Sequence, residues 1–167
     1  MTIKPNADYS LRGACSSDVP FLVALREITM GSIIRRHQPW IPDEQMARVL
    51  YRFGCARVIT HQAQDIGLWK VASESSMTEL IQVQLLPEFQ RLGIGSHLIG
   101  RLQEECRLAM RPITLHVFAS NPALKLYERL GFKVAEQDEH SFQVHWQPLL
   151  VSAECDHGVA DEGEAKE

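Results

Sequence analysis

The chain of 167 residues suits one domain with a real core, and its 45% hydrophobic and 23% charged content is that of an ordinary globular protein. Its formal charge of -4 is uneven: residues 151–167 hold six acids against one lysine, which leaves residues 1–150 near +1, with no broad basic face for nucleic acid. Four cysteines without a CxxC pair, no apolar run near the roughly 20 residues of a membrane helix and no signal-peptide core argue against a zinc site, a disulfide framework or a membrane span, and the expected setting is cytoplasmic.

Residues 9–14 (YSLRGA) read as a first strand. Helix signals follow: Ser16 or Ser17 as N-cap, Pro20 in the first turn, then Phe21, Leu22, Leu25 and Ile28 at helical spacing. Residues 42–53 (PDEQMARVLYRF) predict a second helix with acids in its first turn and Met46, Val49, Leu50 and Phe53 inward. ARVITHQ and DIGLWKVAS predict adjacent strands joined by a hairpin around HQAQD, and residues 77–86 (MTELIQVQLL) a further strand cut off by Pro87. On that strand, alternation sets Glu79 on the face opposite Gln82 and Gln84. A helix from about Gly93 to Met110 carries Leu98, Leu102, Cys106 and Ala109 on one stripe. ITLHVF reads as a strand. NPALKLYERL reads as a helix capped by Asn121, with Pro122 at its first position and Gly131 closing it, and FKVAEQ and FQVHW are the last two strands. Residues 1–150 form the expected domain; residues 151–167 have little to bury and are expected to hang as a disordered tail.

Between the fourth strand and the long helix lies PEFQRLGIGSHLIGRL, residues 87–102. A helix start exposes about four unpaired N–H groups and a partial positive charge. Gly93 and Gly95 let an anion reach that backbone, phosphate being the usual guest, and Ser96 adds a hydroxyl. A tight turn with close helix–sheet packing explains a lone GxG equally well. A Walker loop needs Gly-Lys-Ser/Thr, which is absent, and the dinucleotide fingerprint needs glycine where Leu98 stands.

The loop Gln90-Arg91-Leu92-Gly93-Ile94-Gly95 resembles the Q/R-x-x-G-x-G/A signature of the GCN5-related N-acetyltransferase superfamily. NPALKLYERLGF, residues 121–132, resembles its second signature, in the right order and on the matching elements. The resemblance covers roughly residues 9–147. It implies an α/β (α+β) fold, a mixed and mostly antiparallel central sheet of about six to seven strands flanked by about four helices. It implies acetyl-coenzyme A (acetyl-CoA) as cosubstrate, its pyrophosphate held by Gln90, Arg91, Leu92, Gly93, Ile94, Gly95 and Ser96. Backbone N–H groups around Val83 and Leu85, with Asn121, would meet the pantetheine arm, and Lys125 the outer phosphate.

Acetyl transfer to an amine needs a deprotonated amine, a stabilised carbonyl oxygen and a thiolate that can leave. An alkyl ammonium with pKa about 10.4 is less than roughly 0.1% neutral at pH 7, so a base has work to do. The resemblance assigns that role to Glu79, directly or through water; Gln82 and Gln84 cannot act as bases, but their amides suit orienting water or substrate. A lone strand carboxylate is otherwise a solvated one. Periodicity makes Tyr127 a core aromatic whose buried hydroxyl wants a partner, and the resemblance makes it the general acid for the departing thiolate.

The acceptor, by resemblance, lies between RRHQPWIP (35–42) and AEQDEHSFQVHW (135–146). Arg36, His37 and Trp40, with Arg35, suggest a lid for an acceptor carrying a carboxylate. Glu136, Asp138 and Glu139 suit a polyamine instead, and the sequence leaves both open. The seven histidines show no ligand spacing, so no metal is expected. The expected activity is direct transfer from acetyl-CoA to a primary amine of a small molecule or peptide, because Cys106 on a buried stripe is a poor acyl carrier. A non-catalytic acyl-CoA sensor and a transferase for longer acyl chains are the alternatives. No nucleic-acid or membrane partner is expected, and a homodimer stays open.

Overall fold

A computed structural model describes residues 9–149, so the expected acidic tail lies outside the described residues. The chain runs β1 Tyr9–Gly13, a 3₁₀ turn Ser16–Asp18, α1 Val19–Arg35, α2 Pro42–Leu50, β2 Ala56–His61, β3 Gln64–Ser73 and β4 Thr78–Leu85. It continues through a 3₁₀ turn Pro87–Phe89, α3 Ile94–Leu108, β5 Ile113–Phe118, α4 Ala123–Arg129, β6 Lys133–Gln137 and β7 Ser141–Trp146. The seven strands form one sheet in the order β1-β2-β3-β4-β5-β7-β6. Every neighbouring pair is antiparallel except β4 and β5. This is the mixed, mostly antiparallel α/β architecture expected. Among the described residues no helix is long and apolar enough to cross a membrane.

Each sheet face carries its own apolar layer. Leu80, Ile113 and Leu115 pack with Ile94, Leu98, Ile99 and Leu102 of α3 and with Tyr127 of α4. On the opposite face Leu22 and Leu25 of α1 and Val49 of α2 close over Ala56 and Leu68. Arg12 ties β1 to both flanks: its guanidinium meets both Asp18 oxygens at 2.8 Å and Asp65 at 2.9 Å. The Cys15 N–H adds a bond of 2.8 Å to Asp18, and the Arg12 guanidinium holds the Asp18 carboxyl well below the usual carboxylate range.

The second helix departs from its sequence pattern. It stops at Leu50; Tyr51 leaves the helical region at φ -57 and ψ 123, and Arg52 is left-handed at φ 48. The cause is Lys70 on β3, fully buried, whose Nζ donates to the carbonyls of Arg48 (3.3 Å), Val49 (2.7 Å) and Tyr51 (2.9 Å). An ammonium thus satisfies carbonyls that the end of a helix leaves unpaired. The inward face of α2 is Gln45 and Val49, while Met46 (37% exposed) and Leu50 (47%) look out, against expectation. Ile28 on α1 is likewise 55% exposed, because α1 turns Leu22, Leu25, Gly31 and Ile34 inward. Ala109 falls at the exposed C-cap of α3, beyond its buried stripe.

β4 carries one irregularity in its pairing with β3. On β4, Gln82 pairs with Lys70 and Leu80 with Val71, so Ile81 is an extra residue with no opposite number. Such a bulge cancels strict alternation. Glu79 lies opposite Ala72, Gln82 opposite Lys70 and Gln84 opposite Leu68, and residues 68, 70 and 72 share one face of β3. Glu79, Gln82 and Gln84 therefore share the α1/α2 face, which corrects the expectation that Glu79 faces the other way.

Candidate active site

β4 and β5 are paired only at Thr78 with Ile113 and at Glu79 with Thr114; beyond that the two parallel strands separate. The Leu86 N–H points to β3, donating to the Ile66 carbonyl at 2.9 Å. Successive residues of a strand present their polar backbone groups to opposite sides, so Val83 and Leu85 aim theirs into the gap. The Leu85 carbonyl there accepts the Gln90 Nε2–H at 2.9 Å, and the remaining groups of these two residues face no strand. A cavity of about 700 Å³ occupies the gap, walled by β4, β5, both N-terminal helices and the start of α4.

The glycine loop follows β4 and is tied to its end. Gln90, expected to hold the cofactor, spends its side chain on that bond to Leu85, which pins the loop to β4. Arg91 is exposed and left-handed at φ 59, Leu92 is half-buried, and Gly93 at φ 86 makes the turn into the helix. The first helical bond runs from the His97 N–H to the Gly93 carbonyl at 2.9 Å. No side chain caps this end, so the N–H groups of Ile94, Gly95 and Ser96 have no partner among the described residues. A Cβ built on Gly95 would meet only Leu126 Cδ2, at 3.9 Å. Protein packing thus leaves room there, and helix–sheet crowding does not account for this glycine. Orphan N–H groups, the helix dipole and open space together suit an anion.

α4 begins one residue later than expected, with Pro122 at its cap position, and Asn121 just before it accepts the Ala123 N–H at 2.9 Å; its Nδ2 meets only the Met30 sulfur, at 3.9 Å. The helix closes at left-handed Gly131, where Phe132 N–H reaches the Tyr127 carbonyl and Gly131 N–H the Glu128 carbonyl, both at 3.0 Å. Lys125 is exposed on the same helix. Tyr127 is buried, packs edge-on against Phe132 at 5.7 Å and borders the cavity. Burial pushes its phenol up to about 12. Glu79 borders the same cavity with its carboxylate 3.9 Å from Arg52. Gln82 and Gln84 line it too, and the side-chain oxygens of both are buried without a partner.

The expected lid is placed differently. Arg36, His37 and Trp40 do not line the cavity. His37 Nε2 is 2.8 Å from the Ser120 hydroxyl, its ring stacks on Phe118 at 5.5 Å, and His140 lies 4.9 Å away, so it fastens the α1–α2 connection to β5. Arg35 covers the Trp40 ring at 5.0 Å and pairs with Glu27 at 2.6 Å. The arginines in the wall are Arg26 of α1 and Arg48 of α2. Arg26 donates to the Gln45 Oε1 at 2.9 Å, and burial, then the neighbouring Arg48 charge, lower it to about 10. The readable signal was an arginine beside Leu22 and Leu25 on a stripe that should be apolar.

The family described as FR47-like protein matches residues 59–141. Cysteine-rich protein 2-binding protein, of mouse and of human, is 39% identical over 71 residues, which is 42% of this chain and 9% of the relative. The matched part thus spans under a tenth of those relatives' length. The PaiA N-acetyltransferase of Thermoplasma acidophilum in complex with coenzyme A aligns with TM-score 0.66 at 14% identity, over 83% of this chain and 98% of that one. Arabidopsis thaliana Naa50, in complex with the bisubstrate analogue CoA-Ac-MVNAL, aligns with TM-score 0.62 at 18% identity, over 84% of this chain and 99% of that one.

Proposed function

Because the chain belongs to the GCN5-related N-acetyltransferase superfamily, we propose that it transfers an acetyl group from acetyl-CoA directly to a primary amine of a small molecule or peptide. The observation that carries the reading is the shared cavity. One cavity in the gap between β4 and β5 is lined by Glu79, Val83 and Tyr127, and the loop leading to the uncapped start of α3 is tied to the end of β4 through Gln90 and the Leu85 carbonyl.

Acetyl-CoA supplies a thioester, an acyl group joined to a good leaving group. The Ile94, Gly95 and Ser96 N–H groups receive its pyrophosphate, as orphan donors at a helix N-terminus do. The Val83 and Leu85 backbone groups align the pantetheine arm as an added strand would be aligned, and an N–H there polarises the thioester carbonyl. Glu79 takes the proton from the acceptor ammonium, directly or through one water, and the Gln82 and Gln84 oxygens on the same face orient that water or the amine. As the C–N bond forms and the C–S bond breaks, Tyr127 gives its proton to the departing sulfur, and the proton shed by the new amide nitrogen restores the phenol. Burial that raises the phenol raises the proton affinity of a thiolate beside it as well, so acid and leaving group stay matched.

The test is thiol release and mass-verified product over a panel of primary amines, run with acetyl-CoA and with longer acyl-CoAs. Amide product that depends on Tyr127 and Glu79 supports the proposal. Tight coenzyme A binding with no turnover on any amine overturns it in favour of a sensor.

A further inference from the structure

We infer that the acceptor carries an anionic group, a carboxylate or a phosphate, which Arg26 and Arg48 bind while its amine faces Glu79; this rests on the transfer reading above. The two arginines line the cavity from adjacent helices, Arg26 on α1 and Arg48 on α2. Among the described residues neither makes an ion pair, although Glu44 stands one turn before Arg48 on the same wall. The other cavity acids are occupied elsewhere. Glu79 lies 3.9 Å from Arg52. Asp138 accepts from the His140 and Ser141 N–H groups at 2.8 and 2.7 Å and from the Ser141 hydroxyl at 2.6 Å. Buried Lys70, close enough for Arg26 to depress it further, adds a third positive charge on this side.

Arg26 is drawn out of water without gaining a counter-charge and is repelled by Arg48, which is itself exposed. Holding Arg26 there costs stability that an arriving anion returns, and a guanidinium fork suits carboxylate and phosphate oxygens. Arg26 is also prepared for the task, because the bond from its Nε to Gln45 fixes the plane of the fork and leaves its outer N–H groups for a ligand. An independent observation points the same way. Gln84 is 7% exposed, lines the cavity, and has a side-chain oxygen with no donor. That oxygen suits a second N–H donor of the same acceptor, beyond the amine that faces Glu79. A molecule with both charges satisfies arginines and glutamines together, whereas an aliphatic diamine leaves the arginines uncompensated.

Two measurements test this. In the first, the full chain saturated with coenzyme A is titrated with acetate and, separately, inorganic phosphate while the Arg26 Nε–Hε resonance is followed. The expected result is a saturable shift, with affinity falling at least about fivefold in Arg48→Gln and recovering in Arg48→Lys. The anion that saturates first identifies the group. No saturable shift with either anion, or no effect of Arg48→Gln, overturns the inference without touching the transfer reading. In the second, amino acids, amino-acid amides and O-phosphoethanolamine compete for acetyl-CoA in one mixture. Anionic acceptors are expected to lead the amides by about tenfold or more in kcat/KM, a lead that shrinks to within about threefold in Arg48→Gln. Equal rates overturn the assignment of the anion to the acceptor. Anion binding with no amine acetylated strikes the transfer reading first, and the acceptor assignment with it.

Discussion

Replacing Tyr127 by phenylalanine separates chemistry from folding. The phenol is 7% exposed and its hydroxyl has no hydrogen-bond partner among the described residues, so the change breaks no bond inside the protein. The edge-on packing against Phe132 survives, and because the hydroxyl reaches the cavity instead of being sealed without a partner, its loss changes stability by no more than about 1 kcal/mol. Loss of a general acid lowers kcat by about 10²- to 10⁴-fold, equivalent to about 3–5 kcal/mol of barrier. Urea unfolding gives the first quantity and thiol release under saturating acetyl-CoA the second, while calorimetry confirms that coenzyme A binding stays within about threefold. A pH series adds a signed check. The folded phenol ionises near 12 and the unfolded one near 10, so between those values the native state keeps a proton that the unfolded chain has lost. Wild-type stability therefore falls relative to Tyr127→Phe across that window, by up to about 3 kcal/mol. A variant with wild-type kcat refutes the acid role, and a stability loss above about 2 kcal/mol shows that the hydroxyl serves the fold.

Gly95→Val meets open space beside Leu126 and sits at a helical position, so unfolding is expected to be unchanged within about 0.5 kcal/mol while the coenzyme A dissociation constant rises about tenfold or more. Unaltered affinity in a calorimetric titration means that the phosphates bind elsewhere. Lys70→Met strips three backbone carbonyls of their donor and should cost about 2–4 kcal/mol in urea unfolding, whereas a loss below about 0.5 kcal/mol denies the capping role. Asp18→Asn should cost about 1–2 kcal/mol at pH 7, discounted because Arg12 is partly exposed. The depressed Asp18 carboxyl lends stability above its unfolded pKa and surrenders it as acid is added, so the gap to the variant should narrow by about 1 kcal/mol from pH 5 to pH 3. A pH-independent gap refutes the ion-pair account.

What could be read in the sequence was local. Gly93 and the span from Asn121 to Gly131 declare their geometry through caps and left-handed turns, each set by a few neighbouring residues. Strand and helix order followed from periodicity for the same reason. The misreadings are long-range. The early end of α2 is decided by an ammonium on β3, about twenty residues away, which no helical pattern reports. Arg26 became a wall of the cavity only because α2 laid Gln45 and Arg48 against it. The histidine and tryptophan of the α1–α2 connection looked like a lid because of their chemistry, yet Ser120, Phe118 and Arg35 had claims on them that only packing revealed.

The extra residue at Ile81 means that this centre depends on a count as well as on composition. Deleting that one codon would leave every polar side chain of β4 in place, yet Glu79 could no longer share a side with Gln82 and Gln84. Either the carboxylate would be driven into the oily layer under α3, or both amides would be. On the proposed mechanism, point changes along this strand erode the chemistry by degrees, whereas a shift of length would abolish it in a single event.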